Sequence, residues 1–108
     1  MQRFGRVLRL QKGKELEYEK YHAAVWPEVL NACHQAGIRN YTIFRYGSWL
    51  FAYFELPDEI ALEAAGRATE ACAACRRWET RMHSLQEPLP ESGPENWWVT
   101  MKPVFHCE

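Results

Sequence analysis

The sequence predicts an α+β fold of the order β-α-β-β-α-β, a four-stranded antiparallel sheet with its helices on one face. Three observations carry this. Four short stretches have the two-residue alternation of strands. Two longer stretches have helical spacing or an Ala/Glu/Arg-rich composition, each followed by glycine or proline signals. The order of the elements is the split β-α-β plan of ferredoxin-like domains. The 108 residues fit one domain, 1–108, with no repeat or linker.

The elements follow in chain order. Over 3–10, Phe4, Leu8 and Leu10 share one side, and Arg3, Val7 and Arg9 the other. Arg6 falls on the side of Phe4 and Leu8, within reach of a pocket there unless the strand is bulged. Gly13 marks a turn. From Lys14 to about Ala36, Tyr18, His22, Val25, Trp26, Val29, Leu30 and Cys33 recur at helical spacing, and Gly37 is a good C-terminal stop. Tyr41–Tyr46 and Trp49–Leu56 alternate again and flank Gly47-Ser48, which predicts a hairpin. Pro57-Asp58 opens a helical region running to about His83, with a break expected at Gly66 and Thr69 as the cap of a second segment. Residues 86–96 hold Pro88, Pro90, Gly93 and Pro94 and predict a loop. Trp97–Phe105 predicts the last strand, with Pro103 at a bulge or edge.

Composition narrows the class. Apolar residues make up 47% and charged residues 25%, the balance of a globular chain. A net charge of −1 argues against nucleic acid, because phosphate binding needs a basic surplus. No apolar run approaches the roughly 20 residues that span a bilayer. The N-terminus, broken by Arg3, Arg6 and Arg9, lacks a signal-peptide core, so a cytoplasmic location is expected. Cys72 and Cys75 form a C-x-x-C inside an Ala-rich helical stretch with no preceding strand. That favours helix packing over redox work. A zinc site would want a second pair; Cys33, His34 or His106 are the residues available as further ligands, and no metal is expected.

The third strand carries Leu50, Ala52 and Phe54 on one face and Trp49, Phe51 and Tyr53 on the other. An uncovered sheet face this aromatic is unusual in a monomer. The expectation is a homodimer with the two open faces packed together.

Chemistry is expected on the first helix. Tyr18, His22 and Trp26 are spaced i, i+4, i+8 and line one stripe. Pro27 follows, so the helix must kink or restart one turn beyond a titratable residue. The same pattern fits a satisfied core histidine between two packing aromatics. The chain also holds 5 Trp and 5 Tyr, more than packing alone asks. Flat apolar rings with a polar edge suit the C–H patches and hydroxyls of a sugar, and suit small-molecule pockets in general.

The segment Tyr18-x-x-x-His22-x-x-x-Trp26-Pro27-Glu28 followed by Asn40-Tyr41-x-Ile43 resembles the L-rhamnose mutarotase family. Leu50-Phe51 with Glu55, Arg77-Trp78, and Val104-Phe105 extend the likeness over nearly the whole chain. The resemblance implies a dimeric α+β barrel-type fold that interconverts α and β anomers of a 6-deoxyhexose without a cofactor. It implies His22 as the catalytic acid/base, with sugar contacts from Tyr18, Tyr41 and Trp78. Where rhamnose-type members carry a second Trp, this chain has Glu79. A carboxylate there exchanges a stacking surface for an acceptor of sugar hydroxyls. With Gln86-x-Pro88-Leu89-Pro90 and Gly93-x-Glu95-x-Trp97, it looks like an L-fucose-type subgroup. The competing expectations are a non-catalytic sugar-binding module and a cofactor-free monooxygenase on the same fold.

Overall fold

The computed structural model describes all 108 residues. The elements are β1 (Gln2–Leu10), α1 (Glu15–His22), α2 (Pro27–Gln35), β2 (Arg39–Tyr46), β3 (Trp49–Leu56), α3 (Leu62–Glu70), α4 (Ala73–His83), β4 (Gln86–Glu87) and β5 (Val99–Met101). The sheet order is β2-β3-β1-β4, with β5 also on β1, and every pairing is antiparallel. This is the expected ferredoxin-like plan, except that two short pieces share the fourth strand position. β4 pairs with Arg9 and Leu10, and β5 with Gly5 to Val7.

Alternation decides what each face buries. Leu8 lies opposite Leu50 and Phe4 opposite Phe54, and these side chains meet the helices. One core cluster joins Leu10 and Leu50 to Tyr18, Val29, Trp78, Met82 and Leu85. A second joins Phe54 and Leu56 to Ala36 and Ala65. Each fully buried leucine contributes roughly 1.5–3 kcal/mol relative to exposure. The opposite face carries a row in register across four strands, Phe44–Phe51–Val7–Val99.

Local chemistry sets the ends. Pro27 sits at the first position of α2, and its N-cap Trp26 is extended (φ −58°, ψ 132°), so the chain restarts rather than kinks. α2 ends in a Schellman arrangement: Ile38 N–H donates to the Cys33 carbonyl and Gly37 N–H to that of His34, both at 3.1 Å. Gly37 has φ +94°, which favours glycine, and a Cβ there would stand 2.6 Å from Ile60 Cδ1, so that side chain would have to shift.

Four expectations are corrected. The region from Pro57 becomes helical only at Leu62, because residues 57–60 form a turn whose Pro57 and Ile60 carbonyls accept from the Gln2 amide at 2.9 and 2.7 Å. Gly66 does not break the helix; it lies inside α3. Thr69 caps nothing; its hydroxyl donates back to the Gly66 carbonyl at 2.9 Å, and the break falls at Ala71-Cys72. The last strand is confined to Val99–Met101, since Lys102-Pro103 leaves the ladder. No helix is long and apolar enough to cross a membrane.

Candidate active site

Between the two core clusters lies a cleft of about 680 Å³, within the range of small-ligand sites. Tyr18, His22, Tyr41, Trp78 and Glu79 all line it. The residues singled out from sequence are therefore brought together. Trp26 is not among the lining; it packs edge-on to Trp78 with ring centroids 5.1 Å apart.

His22 is the last residue of α1. Its Nδ1 lies 2.9 Å from the Tyr18 carbonyl, one turn back. A carbonyl only accepts, so Nδ1 carries the proton and Nε2 of the neutral ring keeps its lone pair. The Tyr18 ring stacks on the imidazole at 4.1 Å, and Trp78 meets it edge-on at 5.4 Å. Burial lowers the His22 pKa below the ordinary histidine value, partly offset by the bond to Tyr18. His22 is thus a neutral, oriented base at neutral pH.

The tyrosines stay protonated. Burial raises the pKa of Tyr18 well above the ordinary phenol value. Tyr41 is 43% exposed as a residue, and burial of its hydroxyl pushes its pKa up to about 12. A bulge precedes Tyr41. Arg39 pairs with Glu55 and Thr42 with Tyr53, so two residues of β2 oppose one of β3. Asn40 absorbs the extra residue at φ +53°, a conformation Asn tolerates, and its amide donates to Glu55 Oε1 at 2.7 Å. Tyr41 then lies against Phe54, ring centroids 5.6 Å apart, on the helix side.

Glu79 stands near the ordinary distance of an ion pair from His83, Oε1 to Nε2 3.0 Å, though outside hydrogen-bond alignment. The His83 ring lies flat on Trp97, 3.8 Å between centroids and 8° between planes. Burial raises the Glu79 carboxyl above the usual carboxylate range, opposed by His83 and Arg6.

Three residues of the cleft are less legible in the sequence. Arg6 does reach the cleft: β1 pairs without a bulge from Gln2 to Arg9, and the Arg6 guanidinium lies 5.0 Å over the Phe54 ring with Nε unpartnered. Gln86 lines the cleft at 2% exposure with its Oε1 unpartnered. It stands on β4, inside the segment expected to be loop, and a two-residue strand leaves no alternation to detect. Trp98 lines the cleft while Trp97 backs His83.

The cysteines differ from expectation in placement. Cys72 is not within a helix but is the N-cap of α4, where amides of Cys75 and Ala74 lower its thiol pKa. Cys75 packs against the core, and burial pushes it up to about 12. No three His, Cys, Asp or Glu side chains are grouped as metal ligands, so Cys33, His34 and His106 do not join the pair.

The chain is similar to known proteins in both sequence and fold. Residues 3–107 match the family profile described as L-rhamnose mutarotase. An L-rhamnose mutarotase of Lachnoclostridium phytofermentans is 34% identical over 103 residues, 94% of this chain and 93% of that protein. One from Lactiplantibacillus plantarum is 35% identical over 112 residues, spanning both chains fully. In fold, the crystal structure of L-rhamnose mutarotase from Formosa agariphila matches with a TM-score of 0.76 at 21% identity, over 100% of both chains. Tetracenomycin F2 cyclase from Streptomyces glaucescens matches with a TM-score of 0.68 at 13% identity, also over 100% of both, which speaks to fold alone. Matched over nearly its whole length, and with the expected histidine, tyrosines and tryptophan converging on one cleft, the chain belongs to the L-rhamnose mutarotase family.

Proposed function

We propose that this chain is a mutarotase that interconverts the α and β anomers of L-rhamnose. The observation that carries it, beside the family, is the state of His22: Nδ1 is committed to the Tyr18 carbonyl, which leaves a neutral Nε2 on a ring that lines the cleft. Anomers exchange by opening the hemiacetal ring, rotating about C1–C2 and closing again. Opening needs one proton removed from the C1 hydroxyl and one delivered to the ring oxygen. In this reading His22 is the catalytic residue. Protonated Tyr18 and Tyr41 donate to sugar oxygens, Trp78 supplies an apolar wall, and Glu79 hydrogen-bonds the sugar. Acid–base catalysis of this kind supplies roughly 10²–10⁴-fold, about 3–5 kcal/mol. Mutarotation already proceeds in water, so an oriented histidine in a shaped cleft is sufficient.

The reading includes a homodimer in the cytoplasm, with residues 1–108 acting as one unit. The open sheet face supports the dimer: Phe44 is 60%, Tyr46 80% and Phe51 37% exposed. Four free cysteines, two of them in a C-x-x-C, suit a reducing compartment.

The test is anomer exchange by saturation-difference NMR with L-rhamnose and L-fucose, on wild type and His22→Ala. Enhanced exchange of L-rhamnose that disappears in His22→Ala is the expected result. Enhancement with L-fucose alone would reassign the substrate. Exchange at the background rate with both sugars would sink the function, and enhancement surviving His22→Ala would sink the role given to that residue.

A further inference from the structure

Opening a pyranose moves protons at two oxygens, and the single free nitrogen of His22 serves one of them. Tyr18 and Tyr41 hold their protons too tightly to be efficient carriers at neutral pH. The cleft contains one further proton-exchanging group with a built support. The segment 88–97 is folded on itself: Ser92 Oγ accepts from Leu89 N–H at 2.9 Å and donates to the Trp97 carbonyl at 2.5 Å, and Gly93 N–H donates to the Asn96 carbonyl at 3.1 Å. That fold presents Trp97 flat against His83, and His83 in turn stands 3.0 Å from the Glu79 carboxyl, one turn earlier on α4. The Glu79 side chain, 45% exposed, lines the same cleft as His22.

We propose that Glu79 is the second proton carrier of the cleft and that His83, clamped by Trp97, is its positioning residue. This rests on the mutarotase reading. His22 Nε2 takes the C1 hydroxyl proton, the C1–O5 bond breaks with its electron pair going to O5, and the Glu79 carboxylic acid delivers its proton there. The product is the open aldehyde with a C5 hydroxyl. After rotation about C1–C2, O5 attacks the other face of the carbonyl carbon. Its proton returns to Glu79, and the His22 imidazolium returns its own to O1. Nothing is consumed, and both groups end as they began.

The working state needs neutral His22 and protonated Glu79. Around the carboxyl stand Arg6 of β1, Tyr18 of α1 and Tyr41 of β2. Glu70 of α3, with Cys75 and His83 of α4, completes the set, and Glu95 of the folded segment lines the same cleft. Burial and the acidic neighbours favour the protonated acid, while Arg6 and His83 favour the carboxylate. Activity therefore falls on the alkaline side as Glu79 loses its proton, and on the acid side as His22 gains one.

The experiment measures L-rhamnose anomer exchange against pH for wild type, Glu79→Gln and His83→Phe. Near-UV circular dichroism establishes that each variant is folded. Glu79→Gln is nearly isosteric and keeps a hydrogen-bonding group; its kcat is expected to fall about 100-fold with KM little changed and the alkaline limb lost. His83→Phe keeps the ring on Trp97 but removes the nitrogen that holds the carboxyl pKa down, so its alkaline limb moves to higher pH. A purely structural His83 would leave that limb in place, and that result overturns its role. Glu79→Gln with wild-type kcat and pH profile, or with only KM raised, overturns the proton-carrier role of Glu79 and leaves the mutarotase reading standing. A wild type inactive on L-rhamnose and L-fucose overturns both together.

Discussion

His22 donates from Nδ1 to the carbonyl of Tyr18 at 2.9 Å while the Tyr18 ring covers its imidazole at 4.1 Å. One residue thus sets the tautomer, the orientation and part of the burial of the other. The spacing i, i+4 on a helix supplies both contacts at once.

That burial has a signature in stability. The folded His22 pKa lies below the unfolded value of about 6.5. Above that value both states are neutral and the contribution is fully present. As pH falls, the unfolded state binds the proton first, and the contribution is lost down through the folded pKa. Thermal unfolding of His22→Gln should therefore lose less Tm between pH 7.5 and 5.5 than wild type does. Equal losses would mean that His22 protonates as freely folded as unfolded.

Gln86 separates affinity from stability. Its buried Oε1 has no hydrogen-bond partner within the protein. Gln86→Leu should leave Tm unchanged or raised, while calorimetry shows L-rhamnose affinity reduced about tenfold, the equivalent of one lost hydrogen bond. A large drop in Tm with affinity intact would show that the amide serves the fold instead.

Gly66 is a helix-interior glycine with open space where a Cβ would sit. Gly66→Ala should stabilise by about 0.5–1 kcal/mol. Differential scanning calorimetry would read this as a Tm rise of several degrees. A lower Tm would show that α3 needs the glycine for a close approach in the assembled protein.

The open sheet face should mediate self-association. Sedimentation velocity is expected to give twice the chain mass for wild type and the single-chain mass for Phe44→Glu/Phe51→Glu, since each charge would be buried without a partner in a packed face. A monomeric wild type at micromolar concentration would refute the dimer.

Much of this was legible because the signals are local. Pro27 with Trp26 before it and Gly37 after Ala36 mark helix ends by their own backbone chemistry. Tyr18 and His22 share a face by helical geometry alone. What escaped detection depends on distant partners. Gly66 continues a helix because α3 packs Ala65 into the second core cluster, and tertiary packing outweighs the intrinsic cost of a glycine. Gln86 becomes a strand residue only because Leu10 of β1 offers it a ladder. Cys72 was read by its Ala-rich neighbours, whereas the helix break at Ala71 makes it a cap. Arg6 was placed on the correct face, but only the unbroken register of β1 with β3 shows that it reaches the cleft.

The bulge at Asn40-Tyr41 implies an unequal tolerance to genetic change. Tyr41 precedes Thr42, whose partner Tyr53 is on the open face, so alternation alone turns Tyr41 to the helices. A point substitution of Asn40 strains a left-handed residue, but the count survives and Tyr41 still faces the helices. A one-codon deletion of Asn40 restores regular pairing with Tyr41 opposite Phe54, still on the helix side, whereas loss of Tyr41 puts Asn40 in its place. In a lineage of such chains, this short stretch would admit a gap at Asn40 but not at Tyr41.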